Sequence, residues 1–171
     1  MLTENAVHIG YIALALLAAV LIWRSGRTLE LLKLAQSKTD TLASTDQLTA
    51  LPNRSGLQER LSGAIRANGP DPTLLVMDLD GFKVINDTLG LATGDELLKA
   101  VANRVKSCLG EQDLLARLGG DEFAALIVRP DSEFLATETA RAITAAMNDP
   151  FMINSDTITV KASIGITAIH E

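Results

Sequence analysis

The order of apolar and polar positions divides the chain into three. Residues 7–23, VHIGYIALALLAAVLIW, form an apolar run interrupted only by His8. As a helix these 17 residues would rise about 25 Å, at the short end for a membrane span. Tyr11 stands near one end and Trp23 at the other; Arg24 and Arg27 follow, while only Glu4 is charged in front. Interfacial aromatics and a following basic flank predict an anchor with its N-terminus outside and the rest of the chain cytoplasmic. A cleaved signal peptide would want a basic leader, which does not precede this run. Residues 1–25 are therefore expected to be a membrane anchor, and 26–46 a helical connector. Along the connector Leu32, Ala35, Thr39 and Leu42 recur at three, four and three, an a/d-like spacing. Two readings stand: a parallel dimerising helix, or one amphipathic helix lying on the domain.

Pro52, among Ser44, Thr45, Asp46 and Asn53, breaks the helical pattern and marks the start of a domain over residues 47–171. A helix is predicted from Gly56 to Asn68, ended by Gly69-Pro70-Asp71-Pro72. Thr73–Asp80 reads as a buried central strand that ends in two carboxylates. A turn around Gly90 then leads to a helix over Asp95–Leu109, with Leu97, Leu98, Val101, Val105 and Leu109 as its apolar stripe. Strands follow at Asp113–Leu118 and Glu122–Val128, and a helix at Asp131–Met147. The final strands are Phe151–Asn154 and Thr157–Thr167, the second alternating at Ile158, Val160, Ala162 and Ile164. The order β-α-α-β-β-α-β predicts an α+β fold, a ferredoxin-like α/β sandwich preceded by one transmembrane helix and the connector.

Composition narrows the function. The net charge is -6, a poor footprint for duplex nucleic acid, so no nucleic-acid partner is expected. The single cysteine, Cys108, excludes an intrachain disulfide, and two distant histidines, His8 and His170, make a zinc site a poor fit. The mean hydropathy of +0.22 owes much to the anchor.

The chemistry-bearing stretch is Arg117-Leu118-Gly119-Gly120-Asp121-Glu122-Phe123. A glycine pair between two apolar runs signals a hairpin, and glycine lets a ligand approach the backbone. Asp121 and Glu122 stand at the rim. Alone, this is as well read as an ordinary solvated tip. In the predicted topology, however, the tip lies beside the end of the first strand, so Asp78 and Asp121 converge on one divalent cation. Gly81-Phe82-Lys83 opens the next helix, whose free amides and dipole suit a phosphate, with Lys83 adding a charge. The competing reading makes Asp78 or Asp80 a helix cap.

GGDEF at Gly119–Phe123 with MDLDGFK from Met77, DQLTALPNR from Asp46, NDTLG from Asn86, TGDELL from Thr93 and ASIGIT from Ala162 resembles the GGDEF domain of bacterial diguanylate cyclases. The resemblance implies Mg2+ (or Mn2+) held by Asp78, the carbonyl of Leu79, Asp121 and Glu122, with Glu122 and Asp121 catalytic. It implies phosphate contacts at Phe82 and Lys83 with Gly119 and Gly120, and guanine read by Asn86 and Asp95. It implies GTP as substrate, a homodimer in which each 3′-hydroxyl attacks the partner nucleotide's α-phosphate, cyclic di-GMP as product, and a bacterial inner-membrane location. The sequence departs from the family pattern at Gly110, where many members carry the arginine of an Arg-x-x-Asp product-inhibition site; only Asp113 remains, so feedback through that site is not expected. Leu91 stands where a histidine is common. Beyond ASIGIT, members usually continue with a helix whose basic residues touch the terminal phosphate and a closing strand; neither is in this sequence. The ending also resembles members fused to an EAL phosphodiesterase domain. Two functions are therefore expected: a membrane-anchored cyclase, or a catalytically silent GTP-binding module.

Overall fold

The computed structural model describes residues 44–67 and 69–169. The expected anchor and most of the connector, with their dimerising seam, lie outside these residues, as do Asn68 and His170. No helix among the described residues is long and apolar enough to cross a membrane.

Asn53 caps the first helix, its side chain accepting from the amides of Ser55 and Gly56. The elements are α1 (Arg54–Arg66), β1 (Thr73–Leu79), α2 (Phe82–Leu89), α3 (Leu91–Ser107), β2 (Leu114–Gly119), β3 (Glu122–Ile127), α4 (Ser132–Ala146), β4 (Phe151–Ile153), β5 (Asp156–Ile158) and β6 (Ala162–Ala168). A four-stranded sheet runs β2-β3-β1-β6, every neighbour antiparallel, and β4 and β5 form a separate hairpin. This is the expected α+β sandwich with one added hairpin.

The two faces of β1 explain where the carboxylates end up. Thr73, Leu75, Met77 and Leu79 point to one side and are buried, in a core with Leu97, Val101, Phe123, Ile127 and Ile143. The alternate row, Leu74, Val76 and Asp78, goes from half-buried to exposed. A smaller cluster of Leu57, Ala116, Ala124 and Leu126 packs that second face under α1, with Leu61 and Leu74 against it. Asp78 lies beyond this cover, so the central strand is buried on one face only at its end. Period-two alternation thus delivers an aspartate to solvent while its neighbours Met77 and Leu79 anchor the core.

Two elements differ from the sequence reading. The helix expected from Asp95 starts at Leu91. Gly90 (φ +87°) both ends α2 and opens α3, so the turn takes one residue, and Gly94 lies buried inside the helix. Glycine is a weak helix former; here tertiary packing overrides that preference. The strand expected over Thr157–Thr167 is two strands in two sheets. β5 pairs with β4, the chain crosses through Thr159–Lys161, and β6 pairs with β1. The alternation continues through the crossing, since Ile158 and Val160 are both buried, so the pattern carries no mark of the break.

Candidate functional site

Three segments meet at one end of the sheet: the end of β1, the tip of the β2–β3 hairpin, and the start of α2. The tip is a two-residue loop, Gly120-Asp121, between paired Gly119 and Glu122. Gly120 has φ +55° and Gly119 φ +138°, while Asp121 has no positive φ. A positive φ at the first central residue alone is the pattern of a II′ hairpin turn, which wants glycine there. A register shift between Arg117 and Gly119 adds a bulge just before the tip.

Across the sheet Asp78 pairs with Glu122 on one side and Ser163 on the other. Antiparallel partners share a face, so the two carboxylates stand together. Asp78 is held above the usual carboxylate range, first by desolvation, then by the negative charges of Asp121, Glu122 and Asp80. Asp78 and Glu122, paired directly across the sheet, share one face, with Asp121 next to Glu122 at the tip. Among the described residues no group of three or more Asp, Glu, His or Cys is placed to hold a metal ion. A magnesium ion usually takes one or two carboxylates and leaves its other positions to water and substrate phosphates, so two of the three acids Asp78, Asp121 and Glu122 suffice for that donor set.

Gly81, at φ +74°, caps α2, and the amide of Val84 returns to its carbonyl at 2.9 Å. Phe82 is buried and Lys83 exposed, so the first anchors the helix start and the second is available to solvent. Asp80 does not cap this helix: its carboxylate accepts from the Ser163 hydroxyl at 2.8 Å, and its amide donates to the Lys161 carbonyl at 2.9 Å.

Asn86 and the Gly94-Asp95 turn of α3 also come together. Oδ1 of Asn86 is buried without a partner and lies where a Cβ on Gly94 would be, 1.8 Å from that point. Asp95 is exposed beside it.

Several contacts had no signal in the sequence reading. Arg54 faces Glu122 at 3.6 Å. Asp46, assigned by sequence to the end of the connector, packs into the domain, where it receives Arg117 at 3.0 Å. Both belong to DQLTALPNR, a motif recognisable as a unit but with no chemistry legible in it. The Asp113 side chain is fully buried and paired with Arg129 at 2.8 Å. The Arg129 guanidinium lies 3.1 Å from where a Cβ on Gly110 would be, so it takes the space that a longer side chain at position 110 would need.

The family model for the diguanylate cyclase GGDEF domain matches residues 43–171. This chain belongs to the GGDEF family. The chain is 40% identical over 167 residues to the bifunctional diguanylate cyclase/cyclic di-GMP phosphodiesterase MucR of Pseudomonas aeruginosa, covering 94% of this chain and 24% of MucR. To the diguanylate cyclase TpbB of the same species it is 44% identical over 130 residues, 74% of this chain and 30% of TpbB. The chain thus spans less than a third of the length of these relatives. Among solved structures, the isolated GGDEF domain of TpbB matches with a TM-score of 0.68 at 42% identity, covering 71% of this chain and 73% of that one. The coiled coil and GGDEF domain of DgcB from Caulobacter crescentus, solved with cyclic di-GMP, matches with a TM-score of 0.74 at 27% identity, covering 87% and 81%.

Proposed function

We propose that this GGDEF domain condenses two GTP molecules into cyclic di-GMP and pyrophosphate, working as a homodimer. The observation that carries the reading is the approach of Asp121 and Glu122, from the hairpin, to Asp78 at the end of β1. A bound Mg2+ or Mn2+ would neutralise phosphate charge and polarise the α-phosphate; Asp78, Asp121, Glu122 and the Leu79 carbonyl are the residues to hold it. The chain's own groups do the rest. Glycine amides at the tip and the free amides at the start of α2 can receive phosphate oxygens, and Lys83 adds charge there. Asn86 and Asp95 read guanine: a carboxylate accepts from N1–H and N2–H, donors that adenine does not offer in that arrangement. Glu122, at the rim, is placed to take the proton of an incoming 3′-hydroxyl. Each domain holds one nucleotide, so the reaction needs two domains face to face. The apolar run over residues 7–23 supports anchoring in the bacterial inner membrane with the GGDEF domain on the cytoplasmic side, and the connector brings two copies together.

A second reading is a silent GTP-binding module that regulates an attached EAL phosphodiesterase domain. It is favoured by the match of nearly the whole chain to part of MucR, a bifunctional protein, and by 36% identity to the cyclic di-GMP phosphodiesterase PdeR of Escherichia coli. Incubating the purified chain with GTP and Mg2+ and separating products by chromatography distinguishes the two. Cyclic di-GMP that vanishes in Asp121→Ala supports the cyclase. GTP binding without product at high protein concentration refutes it in favour of the silent module.

A further inference from the structure

We propose that Arg117 is a positioning residue that sets the orientation of the Gly120–Asp121 peptide, and with it the phosphate-facing amide of the hairpin tip. This rests on the GTP reading of that site. Every nitrogen of the Arg117 guanidinium is used. Nε and Nη2 both donate to the Gly120 carbonyl, at 3.0 and 2.7 Å. Nη1 donates to both carboxylate oxygens of Asp46, at 3.0 and 3.1 Å. Asp46 is itself fixed by the amide and hydroxyl of Thr49, at 2.9 and 2.6 Å, and the Arg117 amide is tied to the Pro52 carbonyl at 2.9 Å. The pair is mostly covered, Arg117 at 10% and Asp46 at 20% side-chain exposure, so it is weakly screened and its geometry is over-determined.

The consequence follows from the planarity of the peptide. A trans peptide carries its C=O and N–H in opposite directions, and no cis peptide is present among the described residues. Arg117 pairs with Phe123, whose side chain is in the core. Glu122 pairs with Asp78, and both carboxylates are exposed. The Gly120 carbonyl is drawn toward the Arg117 side of the hairpin, so the Asp121 N–H turns toward the face where Asp78 and Glu122 stand. Glycine at 119 and 120 makes such a tip adaptable; without a clamp its peptide would sample several orientations. The two-pronged grip on one carbonyl removes that freedom. A preorganised amide needs no reordering when a phosphate oxygen arrives. Lysine keeps the charge but lacks the fork, so charge and grip can be separated.

The test uses the full chain in detergent solution, as wild type, Arg117→Met, Arg117→Lys and Asp46→Asn. Hydrogen exchange of the nucleotide-free protein reads the clamp directly. In Arg117→Met, exchange should rise in the peptide spanning the hairpin and stay at the wild-type rate in β1 and α3. Unchanged hairpin exchange, or a rise everywhere, overturns the proposal. Calorimetry with Mg2+ and a non-hydrolysable GTP analogue, against guanosine, reads the consequence. Arg117→Met and Arg117→Lys should each weaken the triphosphate about tenfold, the loss of one to two hydrogen bonds, and leave guanosine unchanged. Equal losses for both ligands, or full rescue by lysine, overturn it. If wild type binds neither ligand, the GTP reading of the site fails, and the exchange experiment alone decides whether Arg117 positions the tip.

Discussion

Replacing Gly94 with alanine tests the guanine site through a contact that only the fold creates. The added methyl would lie 1.8 Å from Oδ1 of Asn86, 3.0 Å from its Cγ and 3.3 Å from Cζ of Phe82. An ordinary carbon–oxygen contact is about 3.3 Å or more, so the amide of Asn86 must move by about 1.5 Å, while Phe82 need hardly shift. A short amide can rotate away, whereas overpacking a rigid core costs about 1–3 kcal/mol. Alanine in a helix also gains about 1 kcal/mol over glycine. The two effects offset, so the melting temperature should change little. Guanine recognition should suffer instead, because Asn86 is expelled from its place. A neutral hydrogen bond contributes about 1 kcal/mol and stranding its partner about 1–3, which gives roughly a tenfold loss of GTP affinity. Calorimetry on Gly94→Ala, Asn86→Ala and the double variant, alongside thermal melting, closes the cycle. If Gly94→Ala acts by displacing Asn86, adding Asn86→Ala to it should cost nothing more. Wild-type GTP affinity in Gly94→Ala, or additive losses in the double variant, would refute the reasoning.

The remaining predictions concern charge. At Asp46 burial opposes ionisation as the largest single influence, but the Thr49 hydrogen bonds and the hydrogen bond and positive charge of Arg117 together outweigh it, so its folded pKa is lowered. Its contribution to stability should be complete above the ordinary carboxylate value and be lost as pH falls through the lowered one; wild type and Asp46→Asn should converge in acid-melting curves and separate at neutral pH. At Asp78 the folded pKa is raised, so the sign reverses: in metal-free protein Asp78→Asn should melt higher than wild type at neutral pH, and that gain should fade as pH falls through the raised value. A lower melting temperature for Asp78→Asn would contradict the crowding of carboxylates. Removing one partner of the covered Asp113–Arg129 pair strands a charge, since Asp113 has 0% side-chain exposure and otherwise only the Gly110 amide at 2.8 Å. Arg129→Met should therefore cost about 3–5 kcal/mol in denaturant unfolding, with partial recovery in Asp113→Asn/Arg129→Met.

Much of the site was legible because its parts are local. Gly119-Gly120-Asp121-Glu122 specifies a glycine-led tight turn through backbone conformation alone, and the apolar run into Asp78 specifies a strand ending in a carboxylate. The β-α-α-β-β-α-β order then restricts the sheet to a pairing that puts the two side by side. What stayed hidden has one cause: it depends on distance along the chain. The Arg117–Asp46 contact joins residues 71 apart, and no periodicity or propensity records such a pair. The start of α3 was misplaced because glycine at 94 argues locally against a helix, while its value is in the room it leaves for Asn86. The split of Thr157–Thr167 was invisible because the apolar alternation runs unbroken from Ile158 through Val160 and Ala162 to Ile164, while the two pieces pair with different partners.

The sequence by itself determined most of the elements and the family, and marked the candidate acids, since side-chain alternation, turn chemistry and a contiguous motif are properties of neighbours. Tertiary structure decided which acids share a face, that Asp80 serves Ser163 rather than the helix, that Arg129 fills the space beside Gly110, and that Asp46, from the segment before α1, holds the arginine that grips the hairpin tip. Those outcomes follow from register and packing, where the position of one atom depends on strands brought together from across the whole domain.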